Sequence, residues 1–280
     1  MTMSRIARVR AGLDRLGIDA LIVSRGLAPS RAKAAALVLA GRVRADGRRV
    51  DKPGNAVAGE ASIEIDPGRA WVGRGGEKLS GVLETLGVDP AERDAVDVGA
   101  STGGFTQVLL AAGAARVAAV DVGRGQLDWS LRNDPRVIVR EGINARYLRP
   151  DHLPFRPSLA VIDVSFISLT RILDPVSRCL SAEADIVALV KPQFEVGRGG
   201  VGKGGIVRDP EAWDAVLVRI VDHARERGLA PRAIARSPIA GAEGNVEFFL
   251  HMTPGRPGAP AEVLDALRAE AVHGPARPSR

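Results

Sequence analysis

The sequence contains little of what a metal centre, a disulfide scaffold or a membrane anchor requires. Its one cysteine, Cys179, cannot form an internal disulfide, and its four histidines show no spacing typical of metal ligands. It has no uninterrupted apolar run long enough to cross a bilayer, and its N-terminal residues lack the apolar core of a signal peptide. We therefore expect a cytoplasmic protein that needs no metal and contacts no membrane.

Positive charge is concentrated at one end of the chain. The 280 residues carry a net charge of +6, and residues 1–68 hold 12 Lys and Arg against 7 Asp and Glu, whereas the remainder is nearly neutral. A small domain with most of the excess positive charge is typical of a nucleic-acid-binding protein, although a solvated basic surface would give the same composition. The length itself indicates one large domain and one small one.

A glycine-rich turn is the most informative motif. The apolar run 95–98 is too short for a helix and leads directly into the sequence GASTGGF at 99–105, after which a helical pattern begins at Thr106. In an open α/β sheet, a strand, a glycine turn and a helix in this order form a cofactor site at the carboxyl end of the first strand. A tight turn that binds nothing is the alternative interpretation.

The spacing of the glycines bears on which cofactor would bind. A dinucleotide site needs G-x-G-x-x-G, whereas this turn reads G-x-x-x-G-G with Ser101 in place of the second glycine, so a pyrophosphate would be poorly accommodated. The next apolar run, 116–122, contains Asp121, which comes 22 residues after Gly99, about the interval at which a strand-end carboxylate meets ribose hydroxyls. A ribose-bearing ligand without a pyrophosphate at this point indicates S-adenosylmethionine.

Apolar runs alternate with helical patterns through the rest of the large domain. The runs 137–140, 159–164 and 186–190 are predicted strands, and Asn144, a candidate adenine contact, follows the first of them. This alternation predicts a doubly wound, Rossmann-like α/β domain with a largely parallel sheet. Asp163 and Lys191 come at the ends of the last two runs, so we expect both at the same sheet edge as the glycine turn.

The basic N-terminal segment has the pattern of a small α+β unit. Short helices are predicted at 18–26 and 34–40, and the Asp-Gly pair at 46–47 predicts a hairpin. The sequence R-G-L-A-x-S-R, a helix and then G-R-V-x-x-D-G-x-x-V resembles the RNA-binding domain first seen in a small-subunit ribosomal protein. In that family the helix pair and the following loop contact the RNA backbone, a role that the resemblance assigns here to Arg31, Lys33, Arg42 and Arg44.

Two lysines and two carboxylates are candidate catalytic residues, namely Lys78, Asp163, Lys191 and Glu247. Each lies at or near the end of an apolar element, where burying one charge alone would be costly but burying a cluster of alternating charge is tolerable. Taken alone, each is equally well an ordinary surface charge. Their predicted convergence on one sheet edge makes them the candidate site.

These four residues match the Lys-Asp-Lys-Glu tetrad of the FtsJ-type ribose 2′-O-methyltransferases. Over roughly residues 18–252 the chain resembles the hemolysin A (TlyA) family, on the motifs RAWV at 69–72, GASTGGFT at 99–106, DVSFISL at 163–169, LVKPQFEVG at 189–197 and GNVEFFL at 244–250. The resemblance implies S-adenosylmethionine-dependent methylation of cytidine 2′-hydroxyls in 23S ribosomal RNA, and for some members also in 16S. Ribosomal RNA or ribosomal subunits would then be the partner.

The expected division of the chain and the expected cofactor contacts follow from these motifs. The cofactor would contact Gly99, Ala100, Ser101, Thr102, Gly103, Gly104, Phe105, Asp121, Val122 and Asn144. We expect an RNA-binding domain at 1–66, ordered from about residue 18, a linker at 67–76, a methyltransferase domain at 77–254 and a flexible tail at 255–280. The resemblance implies that the linker residues Arg69 and Trp71 couple RNA binding to cofactor binding.

Methyl transfer to a ribose hydroxyl needs in-line alignment and a destination for the proton, because the hydroxyl is a poor nucleophile. Lys191 is the candidate group that receives the proton or orients the oxygen. A free lysine, with a pKa of about 10.4, is mostly protonated at neutral pH. Lys78 and partial burial would lower that pKa, whereas Asp163 and Glu247 would oppose the shift, and the sequence leaves the balance open.

We weighed three other functions against the sequence. Residues 197–203 satisfy the phosphate-loop pattern G-x-x-x-x-G-K, but Gly204 follows in place of a hydroxyl residue, and the only acidic strand of the required kind precedes the loop. A non-catalytic RNA-binding ribosome assembly factor would need neither the tetrad nor the glycine turn. Membrane lysis would need a spanning segment or a strongly basic amphipathic helix, and the sequence shows neither.

Overall fold

The computed structural model describes residues 15–66, 71–197 and 199–274. The chain divides after Arg69 into two compact units. The smaller unit has two helices, α1 (Ile18–Ser24) and α2 (Arg31–Leu39), and five short strands, β1 (Arg15–Gly17), β2 (Val43–Ala45), β3 (Arg48–Arg49), β4 (Ala56–Ala58) and β5 (Ile63–Ile65). Strand β1 pairs with β4, and the other three form a sheet in the order β3-β2-β5. The smaller unit is therefore the α+β unit that the sequence predicts.

Local signals in the sequence fix the elements of the smaller unit. Ser30 caps helix α2, because its backbone is extended and its side chain accepts a hydrogen bond from the Lys33 N–H. Asp46 and Gly47 both have positive φ, at 49° and 73°, which is the geometry of a two-residue hairpin turn between β2 and β3. Apolar side chains from both helices and from β2 form its core, including Ile18, Ile22, Ala34, Val38 and Val43.

A seven-stranded sheet dominates the larger unit. Its strands are β6 (Asp94–Val98), β7 (Arg116–Asp121), β8 (Val137–Glu141), β9 (Leu159–Ile162), β10 (Asp185–Val190), β11 (Leu229–Arg236) and β12 (Phe248–Pro254). The order across the sheet is β11-β12-β10-β9-β6-β7-β8, and the strands from β10 to β8 are parallel to one another. Strand β12 is antiparallel to both of its neighbours. The doubly wound, largely parallel fold expected from the sequence is confirmed.

Helices cover both faces of this sheet. They are α3 (Arg74–Ser80), α4 (Leu83–Leu86), α5 (Gly104–Ala111), α6 (Trp129–Arg132), α7 (Leu173–Ser177), α8 (Pro192–Glu195), α9 (Pro210–Glu226) and α10 (Ala261–His273). Along β6, Val96 and Val98 belong to one apolar cluster and Ala95 to the other, because successive side chains of a strand point to opposite faces. Burial on both faces explains why the central strands read as continuous apolar runs.

The structure differs from the expected segment boundaries at both ends of the larger unit. Helix α3 begins at Arg74, inside the expected linker. A break at Gly81 separates it from α4, and a Cβ at Gly81 would lie 2.8 Å from Pro238. The expected flexible tail contains helix α10, in which Leu264 and Val272 are buried against the sheet. Its Pro- and Ala-rich composition conceals this apolar face.

A buried charge cluster joins the amino end of β10 to its surroundings. The Asp185 carboxylate lies 2.7 Å from Arg93 Nη1, 2.6 Å from Arg256 Nη2 and 2.8 Å from His251 Nε2. Burial alone would raise the pKa of Asp185, but the hydrogen bonds from His251 and Arg93 outweigh it and lower the pKa to about 2. The folded state therefore stabilises the Asp185 carboxylate.

We predict that Asp185→Asn lowers the unfolding free energy of the larger unit by about 2–3 kcal/mol at pH 7. Because the folded pKa lies below the ordinary value of 3.8, this contribution is present above about pH 4 and is lost as the pH falls toward 2. Denaturant unfolding of both proteins across this range measures it. Asp174→Asn, which breaks the exposed pair with Arg178, is the control and should change stability by less than about 0.5 kcal/mol. An equal loss in both variants would contradict the prediction.

Candidate functional site

The carboxyl edge of the large sheet collects the candidate catalytic residues. Gly99, Asp163 and Lys191 come directly after the parallel strands β6, β9 and β10, respectively. Glu247 precedes β12, which is antiparallel to β10 and pairs Phe248 with Val190, so it lies at the same edge. The order of the strands reverses between β6 and β9, which is where open α/β sheets bind ligands.

The four candidate catalytic residues form two ion pairs. Lys78 Nζ lies 2.6 Å from Glu247 Oε2, and both residues are buried. Lys191 Nζ lies 2.6 Å from Asp163 Oδ1 and donates a hydrogen bond of 2.9 Å to Ser165 Oγ. Lysines and carboxylates are rarely buried unless they are paired, so each pair explains the burial of its own members.

Helix α3 connects the two pairs. Gly75, three residues before Lys78 in this helix, lies beside the residue that follows β9, since a Cβ there would be 3.7 Å from Asp163 Oδ2 and 3.2 Å from the Phe105 ring. Arg74 at the start of the helix donates to the Ala240 carbonyl, in the segment that leads toward Glu247. The structure thus brings all four residues that the sequence singled out to one region of the sheet edge.

Two adjoining cavities lie beside this cluster. The larger, of about 570 Å³, is bounded by the ends of β6, β7 and β9 and by the residues after β8, including Asp121, Val122, Asn144, Asp163 and Phe166. The smaller, of about 180 Å³, is bounded by Arg74, Gly75, Asp163 and the glycine turn. Gly99, Ser101 and Asp163 border both. Each residue expected to contact the cofactor lines one of the two cavities, except Gly103.

The backbone of the glycine turn leaves space only for glycine at its tightest point. Gly99 has a φ of 89°, and a Cβ there would lie 2.3 Å from the carbonyl oxygen of Asp163. Gly103 has a φ of 96° and starts helix α5, where a Cβ would lie 2.3 Å from Leu131. Gly103 therefore shapes the turn without lining a cavity.

Asp121 holds the glycine turn against the neighbouring strand. Its Oδ2 accepts a hydrogen bond of 2.8 Å from the Ser101 N–H, and its Oδ1 accepts one of 2.6 Å from the Gly123 N–H. Asn144 Oδ1 similarly accepts from the Arg146 N–H. The two hydrogen bonds to Asp121 hold its carboxylate at the wall of the larger cavity, as the spacing between Gly99 and Asp121 in the sequence predicts.

A buried carboxylate that was not predicted as a functional residue, Asp97, joins the two elements on either side of the glycine turn. Its Oδ2 accepts hydrogen bonds from the N–H and the hydroxyl of Thr106, at 2.8 and 2.7 Å, so it ties β6 to helix α5. Desolvation by burial, reinforced by Asp163 and Asp121, raises the pKa of Asp97 to about 7 against the hydrogen bonds from Thr106. An acid in the middle of a buried apolar strand was the signal in the sequence.

An exposed aromatic side chain at the cavity mouth was also not predicted. Phe166 is 91% exposed, has a φ of 62° that is rare for a residue other than glycine, and lines the larger cavity. Its ring packs on Phe194 with centroids 5.0 Å apart. A large apolar side chain held in solvent by a strained backbone is a feature of functional sites rather than of cores.

The segment that precedes helix α3 packs on the glycine turn. The Trp71 side chain covers Gly76, where a Cβ would lie 2.3 Å from Trp71 Cγ, and the Val72 N–H donates a hydrogen bond to Gln107 Oε1. A Cβ at Gly73 would lie 2.5 Å from Thr102 Oγ1. Trp71 therefore packs on helix α3, the helix that carries Lys78, whereas Arg69 lies outside the described residues.

The four basic residues expected to contact RNA lie on the smaller unit in different settings. Lys33 and Arg44 are exposed, and Arg44 donates to the Gly47 carbonyl. Arg42 donates to the Asp66 carbonyl. Arg31 makes two hydrogen bonds to Asp19 Oδ2, so part of its charge is already neutralised within the unit.

Metal and membrane features are missing from the part of the chain that the structure describes. Within residues 15–66, 71–197 and 199–274, no group of three or more His, Cys, Asp or Glu side chains is arranged to hold a metal ion. In the same ranges, none of the helices combines the length and the apolarity that a membrane span requires.

The sheet order, the glycine turn at its switch point and the acid on the neighbouring strand define a Rossmann-like methyltransferase domain. A family model for the FtsJ-like methyltransferases matches residues 71–253, and one for the S4 domain matches residues 16–63. The chain belongs to the FtsJ-like methyltransferases and, within them, to the hemolysin A (TlyA) family.

Individual relatives agree with this assignment. The 16S/23S rRNA (cytidine-2'-O)-methyltransferase TlyA of Mycobacterium tuberculosis is 51% identical over 238 residues, which cover 84% of this chain and 89% of the relative. Hemolysin A of Brachyspira hyodysenteriae is 38% identical over 84% of this chain and 98% of its own. A solved structure from Streptococcus thermophilus superposes with a TM-score of 0.70 at 38% identity, covering 94% of this chain and 98% of that one.

We predict that Asp97 makes the unfolding free energy depend on pH near neutrality. The folded pKa of Asp97, about 7, exceeds its ordinary value of 3.8. The contribution of Asp97 to the unfolding free energy is therefore fully present below about pH 4 and decreases as the pH rises to 7. Asp97→Asn removes this titration, so the stability of the wild type relative to this variant should fall by up to about 4 kcal/mol across the window. Denaturant unfolding of both proteins from pH 4 to pH 8 measures the difference, and a constant difference would contradict the prediction.

Proposed function

We propose that this protein transfers the methyl group of S-adenosylmethionine to the 2′-hydroxyl of cytidine in ribosomal RNA. The observation that carries the proposal is the pairing of two buried lysines with two buried or half-buried carboxylates beside a nucleoside-sized cavity. Such an arrangement is expensive to maintain in a protein that only binds RNA. The name of the Mycobacterium tuberculosis relative supports the same reaction.

The two cavities fit the proposed cofactor. The larger has a volume of about 570 Å³, within the range usual for small-molecule sites, and the glycine turn allows a ligand to approach the backbone at Gly99. Asp121 and Asn144 line the larger cavity, where Asp121 would accept hydrogen bonds from the ribose hydroxyls and Asn144 would contact the adenine. The cofactor would supply the methyl group from a positively charged sulfonium, and the carboxylate of Asp163, which borders both cavities, would suit that charge.

Lys191 is the proposed group that acts on the ribose hydroxyl. Asp163 and Ser165 hold its ammonium nitrogen from two sides, so the remaining N–H direction is fixed. With that N–H the lysine orients the hydroxyl oxygen for in-line attack on the methyl group, and it can accept the hydroxyl proton only as the neutral amine, after its own proton has passed to solvent. The pair of Lys78 and Glu247 completes the charge balance around it.

Phe166 is the proposed contact for the target base. Its exposed ring at the mouth of the larger cavity, backed by Phe194, offers a flat apolar surface on which an unstacked base can lie. Proteins that modify nucleotides within folded RNA commonly hold the target base in this way. Stacking would bring the attached ribose toward Lys191.

The smaller unit is the proposed RNA-delivery domain. Its exposed basic residues suit contacts with phosphates, which give affinity without reading sequence. The proposed substrates are 23S and 16S ribosomal RNA within their subunits, so the protein would act in the cytoplasm, and mapping of 2′-O-methyl groups on both RNAs tests each substrate. We further propose the functional division into an RNA-binding domain at 1–66, a coupling segment around Trp71 and a methyltransferase domain that follows it.

We predict that Lys191→Ala lowers kcat by about 10²–10⁴-fold, because alignment and proton transfer are both lost. Steady-state methylation of ribosomal subunits with radiolabelled cofactor measures kcat, and equilibrium binding measures cofactor affinity, which should change by less than about threefold. Arg178→Ala, at an exposed arginine of the larger unit that pairs with Asp174, should retain the wild-type kcat. A non-catalytic assembly factor predicts instead that wild type transfers no methyl group and binds RNA as well as Lys191→Ala does.

We predict that Arg44→Gln weakens RNA binding and reduces the slope of log affinity against log salt by about one. Arg44 is exposed and offers a phosphate contact whose loss releases one fewer counterion. Arg178→Gln removes an arginine of the same charge that is also exposed but lies in the larger unit, and it should leave the slope unchanged. Titrations at several salt concentrations compare the three proteins, and equal slopes for all of them would refute the assignment.

A further inference from the structure

A buried carboxylate next to the catalytic cluster has no part in the reaction described above. Glu195 ends helix α8, four residues after Lys191, and its side chain is 1% exposed. It belongs neither to the two ion pairs nor to the walls of the two cavities. A glutamate so fully buried requires a specific set of partners.

Glu195 binds the loop that follows Asp163. Its Oε2 accepts a hydrogen bond of 2.7 Å from Ser168 Oγ, and its Oε1 accepts one of 2.8 Å from the Leu169 N–H. These donors lie 26 and 27 residues away in the chain. The carboxylate therefore connects the loop after β9 with the helix after β10.

Arg219 secures this connection from helix α9. Its Nη2 lies 3.1 Å from Glu195 Oε2 and donates a hydrogen bond of 2.5 Å to the Glu195 carbonyl oxygen. Burial raises the pKa of Glu195, although the Leu169 N–H, Ser168 and Arg219 each oppose the increase. The Glu195 carboxylate thus accepts hydrogen bonds from the loop after β9 and from helix α9, and it joins both to helix α8, on which it lies.

The two segments joined by Glu195 are those that present reactive groups to the cavity. The loop carries Ser165, which accepts a hydrogen bond from Lys191, and Phe166. Helix α8 follows Lys191 directly and carries Phe194, which packs on Phe166. The loop also needs such a tie, because its backbone at Phe166 has a strained positive φ of 62°.

We infer that Glu195 is a positioning residue that holds the loop after Asp163 against helix α8 and thereby fixes Lys191 toward the ribose hydroxyl. The inference rests on the proposed function. Glu195 acts through Lys191 and Phe166 and touches neither cofactor nor substrate. Because a displacement of about 1 Å in a reacting group can cost roughly 10²-fold in rate, a tie of this kind controls turnover more than binding.

Strand β10, which ends directly before Lys191, provides a matched control at its amino end. Asp185, at the amino end of β10, is a buried carboxylate with arginine and histidine partners, as far along the strand from Lys191 as β10 allows. Asp185→Asn and Glu195→Gln each replace a buried, arginine-bound acid by its amide. A role in stability alone would affect both variants in the same way.

The test compares kcat, cofactor affinity, RNA affinity and thermal midpoint for wild type, Glu195→Gln and Asp185→Asn on ribosomal subunits. We expect Glu195→Gln to lower kcat by about 30- to 100-fold, with both affinities within about threefold of wild type. Asp185→Asn should lower the thermal midpoint but keep kcat within about threefold when assayed well below the transition. Glu195→Asp should lower kcat nearly as much as Glu195→Gln does. Aspartate keeps the charge, but its side chain is one methylene shorter and no longer reaches Ser168 and Leu169.

Ser168→Ala provides a milder variant in case Glu195→Gln does not fold. It removes one half-buried donor and should lower kcat by about 3- to 10-fold, with cofactor affinity unchanged. Wild-type kcat in Glu195→Gln or in Ser168→Ala would overturn the inference, as would equal losses in Glu195→Gln and Asp185→Asn. An inactive wild type would overturn the proposed function instead, so the two failures are distinguishable.

Discussion

The site depends on the joint burial of two ammonium groups and two carboxylates. Removing a charge from water costs several kcal/mol per ion, and a buried pair recovers this only when its geometry is excellent. Lys78 and Glu247, at 2.6 Å, are almost fully enclosed, and neither is tolerable there without the other. The pairs therefore contribute little net stability, which fits their proposed role in the reaction better than a role in folding.

The sheet topology makes this arrangement possible. Lys78, Asp163, Lys191 and Glu247 come from a helix and three strand ends that are far apart in the sequence. Because β9 and β10 are parallel and β12 is antiparallel to β10, two strands that end and one that begins meet at a single edge. The reversal of strand order between β6 and β9 then leaves a crevice next to them.

The meeting of these four residues at one sheet edge could be predicted from the sequence. Apolar runs indicate the strands, and the residues directly after parallel strands lie at the carboxyl edge of the sheet. The sequence was insufficient for Asp97 and Glu195, because their roles arise from contacts made in three dimensions. Nothing local indicates that Glu195 binds Ser168, 27 residues earlier. The tail was interpreted as a weak helix in a largely flexible end, and the burial of helix α10 was not foreseen, because its few apolar side chains are buried only by packing against the sheet. Arg31 shows the reverse case, in which a predicted RNA contact is already bound to Asp19.

Strand β10 shows how stability and reactivity can be separated within one element. Its amino end is held by Asp185, whose partners lower its pKa and hold the strand in place wherever the carboxylate is charged. Its carboxyl end carries Lys191, whose contacts with Asp163 and Ser165 face a cavity instead of the core. An anchor at the far end means that the residues after Lys191 need not hold the strand. They can bind the loop after β9 instead. Glu195 does so by accepting hydrogen bonds from Ser168 and Leu169.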